Sequence, residues 1–296
     1  MKDNQNFTAG KRFKIAINNE KPLQIAGTIN AYSALLAQKS GFSCIYLSGA
    51  GVANASFGIP DLGFTSLDNV AEDTRRITQV CPLPLIVDAD TGWNDPKLAI
   101  ETLIKAGAAG AHIEDQIDLK RCGHRDGKHL VSIEEMQSRL QASIKGKTDP
   151  DFAIIARTDA HAVEGFQAAI HRAQHYVEAG ADMIFAEAFS SLEEYTIFCN
   201  EVNVPILANI TEFGKTPLFT VDELRTTGIA TVLYPLSAFR AMSLAALNVY
   251  ETIRKTGSQQ TLIDSMQTRL ALYDTLDYEK YEKEIDKTIK STRGKS

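Results

Sequence analysis

The sequence lacks long apolar runs. No apolar stretch approaches the roughly 20 residues that span a bilayer. The N-terminal segment MKDNQNFTAGKRFKIAINNEK also lacks the apolar core of a signal peptide. We therefore expect a cytoplasmic protein that has no membrane partner.

Cysteine and positive charge are also scarce. Cys44, Cys81, Cys122 and Cys199 do not show the spacing of a metal finger, and an intracellular chain of 296 residues does not need disulfides, so we expect free thiols. A formal net charge of −6 at pH 7 argues against a nucleic-acid partner, which usually requires a basic face. An anionic ligand would need cations concentrated locally.

The composition is that of a compact globular protein. Hydrophobic residues make up 44% of the chain and charged residues 23%, without a low-complexity run. One α/β barrel can use 296 residues without a second domain. We predict a single domain over residues 1–296, with a helical extension at about 257–290.

Short apolar runs alternate with helical stretches along the chain. Continuous apolar character is typical of parallel strands buried on both faces, and the helical stretches supply the crossovers that parallel pairing needs. Eight such units predict a (β/α)8 barrel of the TIM type. The predicted strands are residues 24–29, 44–49, 84–90, 110–115, 152–159, 183–189, 205–210 and 230–235.

Helix boundary signals support this alternation. Ser66 and Asp68 precede the helical stretch NVAEDTRRITQV, while Gly107 and Gly180 follow predicted helix ends. After the eighth strand, SAFRAMSLAALNVYETIRKTG predicts a long helix, and about forty further residues have no place in a minimal barrel. They form either a fraying tail or, because LIDSMQTRLALYDTL has helical apolar spacing, a surface that packs on a partner subunit.

Polar side chains end nearly every predicted strand. In this fold the active site lies at the carboxyl ends of the strands. A barrel rim must be polar in any case, so salt bridges alone could explain any one of these residues, but the whole set favours function. The set is Ser48, Gly49, Asp88, Asp90, Glu114, Asp115, Arg157, Asp159, Glu187, Asn209 and Thr211.

The segment VDAD indicates a metal site. Residues i and i+2 of a strand project to one side, so the carboxylates of Asp88 and Asp90 come together. Hard oxygen ligands suit Mg²⁺, which takes one or two carboxylates directly and keeps several waters, one of which Glu114 could hold. The alternative is that the pair forms salt bridges with Arg157 or Lys120.

Cys122 lies in the cationic segment DQIDLKRCGHRDGKH. Neighbouring Lys, Arg and protonated His side chains favour a thiolate and lower the pKa of a thiol, whereas Cys44 in an apolar strand and Cys199 on a helix lack such neighbours. No protease-like arrangement is present. Proton transfer fits better, beside a Mg²⁺ that chelates an α-hydroxy or α-keto carboxylate while arginines hold further carboxylates. The alternative is an ordinary thiol in a solvated loop.

The segments VDAD, HIEDQ, KRCGH, ARTDA, ILANITEFG and LYPLSAFRAM together resemble the isocitrate lyase and phosphoenolpyruvate mutase superfamily. KRCGH is the most specific of them, and the similarity covers nearly the whole chain. Within the superfamily, the resemblance is to the branch that cleaves 2-methylisocitrate. It implies a Mg²⁺-dependent, retro-aldol-type cleavage to pyruvate and succinate in the methylcitrate cycle of propionate breakdown. It also implies a homotetramer that exchanges its terminal helices.

The resemblance implies catalytic roles as well. Cys122 matches the general acid that protonates the succinate carbanion, and His124 supports the cysteine segment. Asp88 and Asp90 match the metal carboxylates, with Glu114 acting through water. Tyr46 and Asp61 both occupy positions from which the hydroxyl proton could be removed, and the choice between them stays open.

Substrate-binding positions follow in the same way. Ala50 stands where the family often has glycine, a small change that keeps the backbone amides. Phe185, Leu233 and Pro235 would form an apolar pocket for the 2-methyl group, although they could equally be ordinary core residues at strand ends. The other matching positions are Ser48, Gly49, Gly123, Arg157, Glu187, Asn209, Ile210, Thr211, Arg240 and Arg269.

Three other functions compete with this interpretation. An isocitrate lyase shares the cysteine motif but is usually much longer. A mutase or an oxaloacetate-type hydrolase would normally lack the cysteine. A non-catalytic metabolite-binding barrel would bind ligand without turnover.

Overall fold

The computed structural model describes residues 7–117 and 127–293, with residues 291–293 described by their backbone alone. The chain divides into two compact units, Met1–Phe239 and Arg240–Ser296.

Eight parallel strands form a closed barrel in the first unit. The strands pair in chain order, and β8 closes the barrel against β1. The eight predicted strands and the (β/α)8 fold class are therefore confirmed. The strands are β1 Leu23–Gly27, β2 Cys44–Leu47, β3 Leu85–Asp88, β4 Gly110–Glu114, β5 Ala153–Thr158, β6 Met183–Ala186, β7 Ile206–Asn209 and β8 Thr231–Tyr234.

Helices precede, separate and follow the strands. Among the described residues, no helix is long and apolar enough to cross a membrane. A π-helical turn, Val52–Ser56, continues α3. The helices are α1 Ala9–Asn19, α2 Ala31–Lys39, α3 Gly49–Gly51, α4 Leu67–Thr78, α5 Pro96–Lys105, α6 Ile133–Lys145, α7 Ala160–Val163, α8 Phe166–Glu178, α9 Leu192–Glu201, α10 Val221–Arg225, α11 Ser237–Thr256, α12 Arg269–Thr275 and α13 Tyr278–Arg293.

The predicted helix boundaries have a clear local cause. Ser66 caps α4, because its hydroxyl accepts the backbone N–H of Asn69 while the Asn69 side chain accepts the N–H of Ser66. Gly107 and Gly180 follow α5 and α8 with φ values of +96° and +102°, a left-handed conformation that side chains rarely adopt.

Alternate strand residues divide the apolar side chains into two layers. One cluster fills the barrel interior, and the other packs under the helices. The interior cluster contains Ile25, Cys44, Tyr46, Ile86, Ile155, Met183, Phe185, Leu207 and Leu233. The outer cluster contains Ile45, Leu47, Val87, Ala111, Ile154, Ala156, Ile184, Ala208 and Val232. Residues two positions beyond an interior residue continue the inner face. These are Asp88 in β3, Arg157 in β5 and Glu187 immediately after β6.

The second unit is helical. It holds most of α11, a 3₁₀ turn at Gln260–Ser265, α12 and α13. Several of its apolar side chains are exposed, among them Leu244 and Leu270. The long helix predicted after the eighth strand is confirmed, whereas a single domain with an extension at about 257–290 stays a prediction.

The end of β1 offers a test of the barrel packing. A Cβ at Gly27 would stand 1.8 Å from the carbonyl oxygen of Pro235, which is backbone that cannot rotate away. We expect Gly27→Ala to lower the free energy of unfolding by about 3 kcal/mol or more, at the upper end of overpacking costs.

Gly41→Ala is the matched control for this variant. Gly41 has a φ of +93°, but nothing lies within 4 Å of an added Cβ. Gly41→Ala should therefore lower the free energy of unfolding only through backbone strain, by about 1–2 kcal/mol. Urea unfolding of both variants measures the difference, and equal losses would contradict the packing described for Gly27.

Candidate active site

The carboxyl ends of four neighbouring strands bring buried polar side chains into contact. Arg157 of β5 lies between Glu114 of β4, with Nε 3.5 Å from Oε2, and Glu187, with Nη2 3.9 Å from Oε1. Asn209 of β7 donates its amide to Glu187 Oε2 at 3.2 Å. Four members of the set predicted from polar strand ends, Glu114, Arg157, Glu187 and Asn209, therefore form a continuous row inside the barrel mouth.

Asp88 and Asp90 form a buried carboxylate pair beside this row. Asp88 accepts the backbone N–H groups of Gly49 at 3.0 Å and Asp90 at 3.1 Å, which fixes its two oxygens. Asp90 has a φ of +50°, in the left-handed region that non-glycine residues rarely adopt. Each carboxylate is only 5% exposed. Such strain is typical of functional sites, where the surrounding structure maintains it.

A common space lies in front of both carboxylates. A Cβ at Gly49 would come within 3.1 Å of Asp88 Oδ2 and also within 3.1 Å of Asp90 Oδ1. Glycine at this position therefore keeps open a space that two hard oxygen donors share. Because Mg²⁺ prefers such oxygens, these residues fit the ion chemically.

A complete cage of protein ligands is not formed by the described residues. Within 7–117 and 127–293, no group of three His, Cys, Asp or Glu side chains has the arrangement of a cation site. Glu114 adjoins the pair through its backbone, whose N–H donates to Asp90 O at 2.9 Å.

His112 is a site residue that sequence reasoning missed. Its Nε2 is hydrogen-bonded to the Tyr46 hydroxyl at 2.8 Å and lies 3.4 Å from Asp88 Oδ1. The Tyr46 hydroxyl also donates to Asp88 Oδ2 at 3.4 Å. The imidazole is fully buried and stacks on the Tyr46 ring at 5.8 Å between centroids. Strand parity could have identified it, because His112 lies two residues before Glu114.

Arg157 is oriented by the side chain two residues beyond it. Its Nε and Nη2 donate to the two oxygens of Asp159 at 3.0 and 3.3 Å, and the guanidinium lies over the Phe185 ring at 5.1 Å. Burial opposes the charge, but Asp159, Glu187 and Glu114 outweigh it and raise the pKa of Arg157 above its ordinary value. The Arg157 guanidinium therefore stays protonated.

The partners of Arg157 decide whether it forms a salt bridge with the Asp88–Asp90 pair. Its partners are Asp159, Glu114 and Glu187, so the alternative of a salt bridge to the Asp88–Asp90 pair is wrong for this arginine. Among the described residues, Nη1 has no hydrogen-bond partner of its own, which leaves that edge of the guanidinium for a ligand. Lys120, the other cation considered for the pair, lies outside the described residues.

Asp159 connects this row to a second buried network. It accepts the Lys128 ammonium at 2.8 Å and the Gln116 amide at 3.3 Å, and its backbone N–H donates to Asp115 at 2.9 Å. Burial, together with the charge of Asp159, raises the pKa of the Asp115 carboxyl. No local sequence pattern marks Lys128 as the partner of Asp159, because the two residues are distant in sequence.

Other predicted residues lie around the row. Ser48 is buried at the start of α3, and Ala50 is half-buried within it. Asp61 is half-buried in the segment between the π-helical turn and α4. Thr211 is buried just beyond β7, next to Ile210, which belongs to the outer apolar cluster.

The three residues of the proposed methyl pocket are as buried as core residues. Phe185 and Leu233 belong to the interior cluster, and both are almost fully buried. Pro235 is buried immediately after β8. The described geometry is compatible with either the pocket or the core interpretation.

The remaining predicted residues are not part of the described barrel. Cys122, Gly123 and His124 lie outside the described residues. Arg240 and Arg269 belong to the second unit, where Arg240 lies on α11 and Arg269 begins α12, both exposed.

Comparison with known proteins gives the family. The family model described as phosphoenolpyruvate phosphomutase matches residues 13–254. A protein of Escherichia coli (strain K12) named 2-methylisocitrate lyase is 58% identical over 281 residues, which cover 94% of this chain and 95% of that protein.

Two solved structures share the fold. The crystal structure of 2,3-dimethylmalate lyase superposes with a TM-score of 0.87 at 29% identity and covers 94% of both chains. Phosphonopyruvate hydrolase in complex with oxalate and Mg²⁺ superposes with a TM-score of 0.80 at 26% identity, covering 93% of this chain and 97% of that one.

The closed barrel and these relatives together define a carbon–carbon lyase built on a (β/α)8 scaffold. More particularly, the chain belongs to the phosphoenolpyruvate phosphomutase family, within the isocitrate lyase and phosphoenolpyruvate mutase superfamily. The resemblance drawn from the six sequence segments is thereby confirmed.

The Tyr46–His112 contact can be measured by a double-mutant cycle. Tyr46→Phe and His112→Phe each remove one side of the 2.8 Å hydrogen bond while keeping a ring in the stack. Because the two atoms are in contact, we expect a coupling of about 1 kcal/mol in the free energy of unfolding, within the range for contacting residues. Urea unfolding of the wild type, both single variants and the double variant gives the value. Strictly additive losses would show that the contact contributes nothing.

Proposed function

We propose that this lyase cleaves 2-methylisocitrate to pyruvate and succinate, as a step of the methylcitrate cycle. The observation that carries the proposal is the inner-face row in which the Asp88–Asp90 pair adjoins Glu114, which in turn contacts Arg157. A hydroxy-tricarboxylate needs a metal ion at its hydroxy-acid end and a cation for a further carboxylate. The Asp88–Asp90 pair supports the first role, and Arg157 supports the second. The names of the curated relatives support the same substrate.

We propose that Asp88 and Asp90 hold Mg²⁺ directly and that Glu114 holds one of its waters. When bound, the ion would chelate the α-hydroxy acid end and stabilise negative charge that develops on its oxygen. Gly49 keeps the shared space open, and backbone amides of the Ser48–Ala50 turn would bind the keto-acid half. The Mg²⁺ complex of phosphonopyruvate hydrolase supports this assignment by analogy.

We propose that Arg157 binds a carboxylate of the succinate half. Its Nε and Nη2 are held by Asp159, so the guanidinium is already oriented before substrate arrives. Glu187 and Asn209 complete this side of the site, and the segment through Ile210 and Thr211 follows them. Arg240 and Arg269 remain proposed substrate ligands from the second unit.

Of the two candidate bases, Tyr46 is the one we propose. Its hydroxyl contacts His112 Nε2 at 2.8 Å and Asp88 at 3.4 Å, so it can pass its own proton to His112 as it takes the hydroxyl proton of the substrate. A base must reach the proton that it removes, and Tyr46 adjoins the proposed metal carboxylate. Asp61, which is half-buried in a segment before α4, stays the second choice.

Cys122 is the proposed general acid, with Gly123 and His124 as its neighbours. Its cationic sequence surroundings lower the pKa of a thiol, which makes the protonated thiol a better proton donor near neutral pH. The other cysteines are unsuited, because burial raises the pKa of Cys44 and Cys81, and raises that of Cys199 to about 12. Cys122 would protonate the carbanion that forms on the succinate half after the carbon–carbon bond breaks.

A homotetramer that exchanges its terminal helices also remains a proposal. The second unit exposes large apolar side chains on α11 and α12, including Leu244, Tyr250 and Leu270. Monomeric proteins rarely expose many such residues together, so a subunit interface is a consistent explanation. A cytoplasmic location is proposed on sequence grounds alone.

Substrate preference tests the proposal directly. If Phe185, Leu233 and Pro235 surround the 2-methyl group, kcat/KM for isocitrate should be about 10- to 200-fold lower than for 2-methylisocitrate, the scale of one methyl group. Turnover should disappear in EDTA and return with added Mg²⁺. Leu233→Phe should narrow the ratio by penalising the methylated substrate first.

Val232→Leu is the matched control, because Val232 occupies the same strand but faces the outer cluster. It should change stability without changing the ratio. Equal kcat/KM values for both substrates in the wild type, or activity that persists in EDTA, would contradict the assignment. Ligand binding without any turnover would instead indicate a metabolite-binding barrel.

Replacing the cysteine tests the proposed acid. Cys122→Ser should lower kcat by roughly 10²- to 10⁴-fold, the usual scale for lost proton transfer, while binding of pyruvate survives. Cys199→Ser is the control and should retain wild-type kcat, because that thiol lies half-buried on α9. Near-normal turnover in Cys122→Ser would rule out the cysteine as the acid.

A further inference from the structure

The chain on either side of residues 118–126 forms a short antiparallel pair. Gln116 and Leu130 form a β-bridge, and the N–H of Ile117 donates to the carbonyl of His129 at 3.0 Å. The described residues on the two sides of the segment that contains Cys122 are therefore joined by backbone pairing. We call this pair, residues 115–117 and 129–131, the base of the cysteine segment.

One carboxylate joins this base to Arg157. Asp159 Oδ1 accepts Lys128 Nζ at 2.8 Å and Arg157 Nη2 at 3.3 Å. Asp159 Oδ2 accepts Arg157 Nε at 3.0 Å and Gln116 Nε2 at 3.3 Å. The carboxylate thus binds Arg157 on one side, and on the other it binds Gln116 from the first strand of the base and Lys128 immediately before the second.

Lys128 and Asp159 are both buried, which holds their ion pair in one geometry. The Lys128 side chain is 1% exposed and the Asp159 side chain is 0% exposed. Removing one partner of a buried ion pair leaves an uncompensated charge, so such groups are held strongly in one geometry. A surface salt bridge, in contrast, would constrain the chain very little.

We propose that Asp159 and Lys128 are positioning residues for the lyase reaction. Asp159 orients the guanidinium of Arg157, and through Lys128 and Gln116 it sets the position of the base from which the cysteine segment extends. A single side chain therefore contacts both the proposed carboxylate-binding arginine and the residues that flank the cysteine segment. This inference rests on the proposed roles of Arg157 and Cys122, and neither positioning residue touches a reacting atom.

The two residues should differ in their kinetic effects. Lys128→Met removes the ion pair with Asp159 but leaves Asp159 bound to Arg157, so we expect kcat to fall about 10²-fold, the cost of a misplacement of about 1 Å, with KM for 2-methylisocitrate nearly unchanged. Asp159→Asn also loosens Arg157, so KM should rise as well. Lys128→Arg keeps the charge and should restore part of the lost kcat.

Lys147→Met is the matched control. Lys147 forms a partly buried ion pair with Asp182, at 3.1 Å from Nζ to Oδ2, and is not one of the residues of the proposed site. It should lower Tm but leave kcat and KM at wild-type values. This separates a general loss of stability from a loss of positioning.

The alkylation rate of Cys122 gives a readout that needs no substrate. Iodoacetamide labelling followed by peptide mass spectrometry resolves Cys122 from the other three cysteines. We expect Lys128→Met to change this rate several-fold and Lys147→Met to leave it unchanged.

The outcomes separate the positioning proposal from the proposed function. If Lys128→Met behaves like Lys147→Met, with a lower Tm but wild-type kcat, KM and alkylation rate, the positioning role is overturned. If Lys128→Met alters alkylation while Cys122→Ser remains fully active, the proposed acid is wrong but the positioning of the base stands. Should Asp159→Asn fail to fold, Lys128→Met alone decides the question.

Discussion

The closure of eight parallel strands is the constraint on which the rest of this molecule depends. Closure forces every second side chain inward, and an interior of limited width has to be filled. Apolar residues such as Ile155 and Phe185 fill it through most of its depth. The same alternation then points Asp88, Arg157 and Glu187 into the mouth, so the strand period that builds the core also assembles the site.

A mouth lined with buried charges is stable only if those charges compensate one another. Arg157 contacts three carboxylates, and Asp159 contacts two cations, so neither charge is isolated from an opposite one. The Asp88 carboxylate is held differently, by the N–H groups of Gly49 and Asp90. This difference supports the proposed division of the site into a side that binds a cation and a side that binds an anion.

The sequence predicted the features that depend on local pattern. All eight strands, the Ser66 cap and the glycines at 107 and 180 follow from periodicity and backbone preference. The polar residues on the inner face could also be predicted, because the alternation of side chains along a strand is a local pattern. The contact of Lys128 with Asp159 could not, since nothing local marks two residues thirty-one positions apart as partners. His112 was missed because it lies between apolar residues in the middle of β4, although it has the same parity as Glu114. The positive φ of Asp90 depends on the turn that brings it beside Asp88.

The central claim is that the Asp88–Asp90 pair forms the cation-binding side of the site. Anomalous diffraction from crystals soaked with Mn²⁺ and pyruvate tests it most directly, because Mn²⁺ accepts the same oxygen ligands as Mg²⁺ and can be located without reference to activity. The account predicts one strong anomalous peak in the space facing Gly49, in contact with an oxygen of Asp88 or Asp90. A peak elsewhere in the barrel, with that space occupied by water or by a side chain, would contradict it.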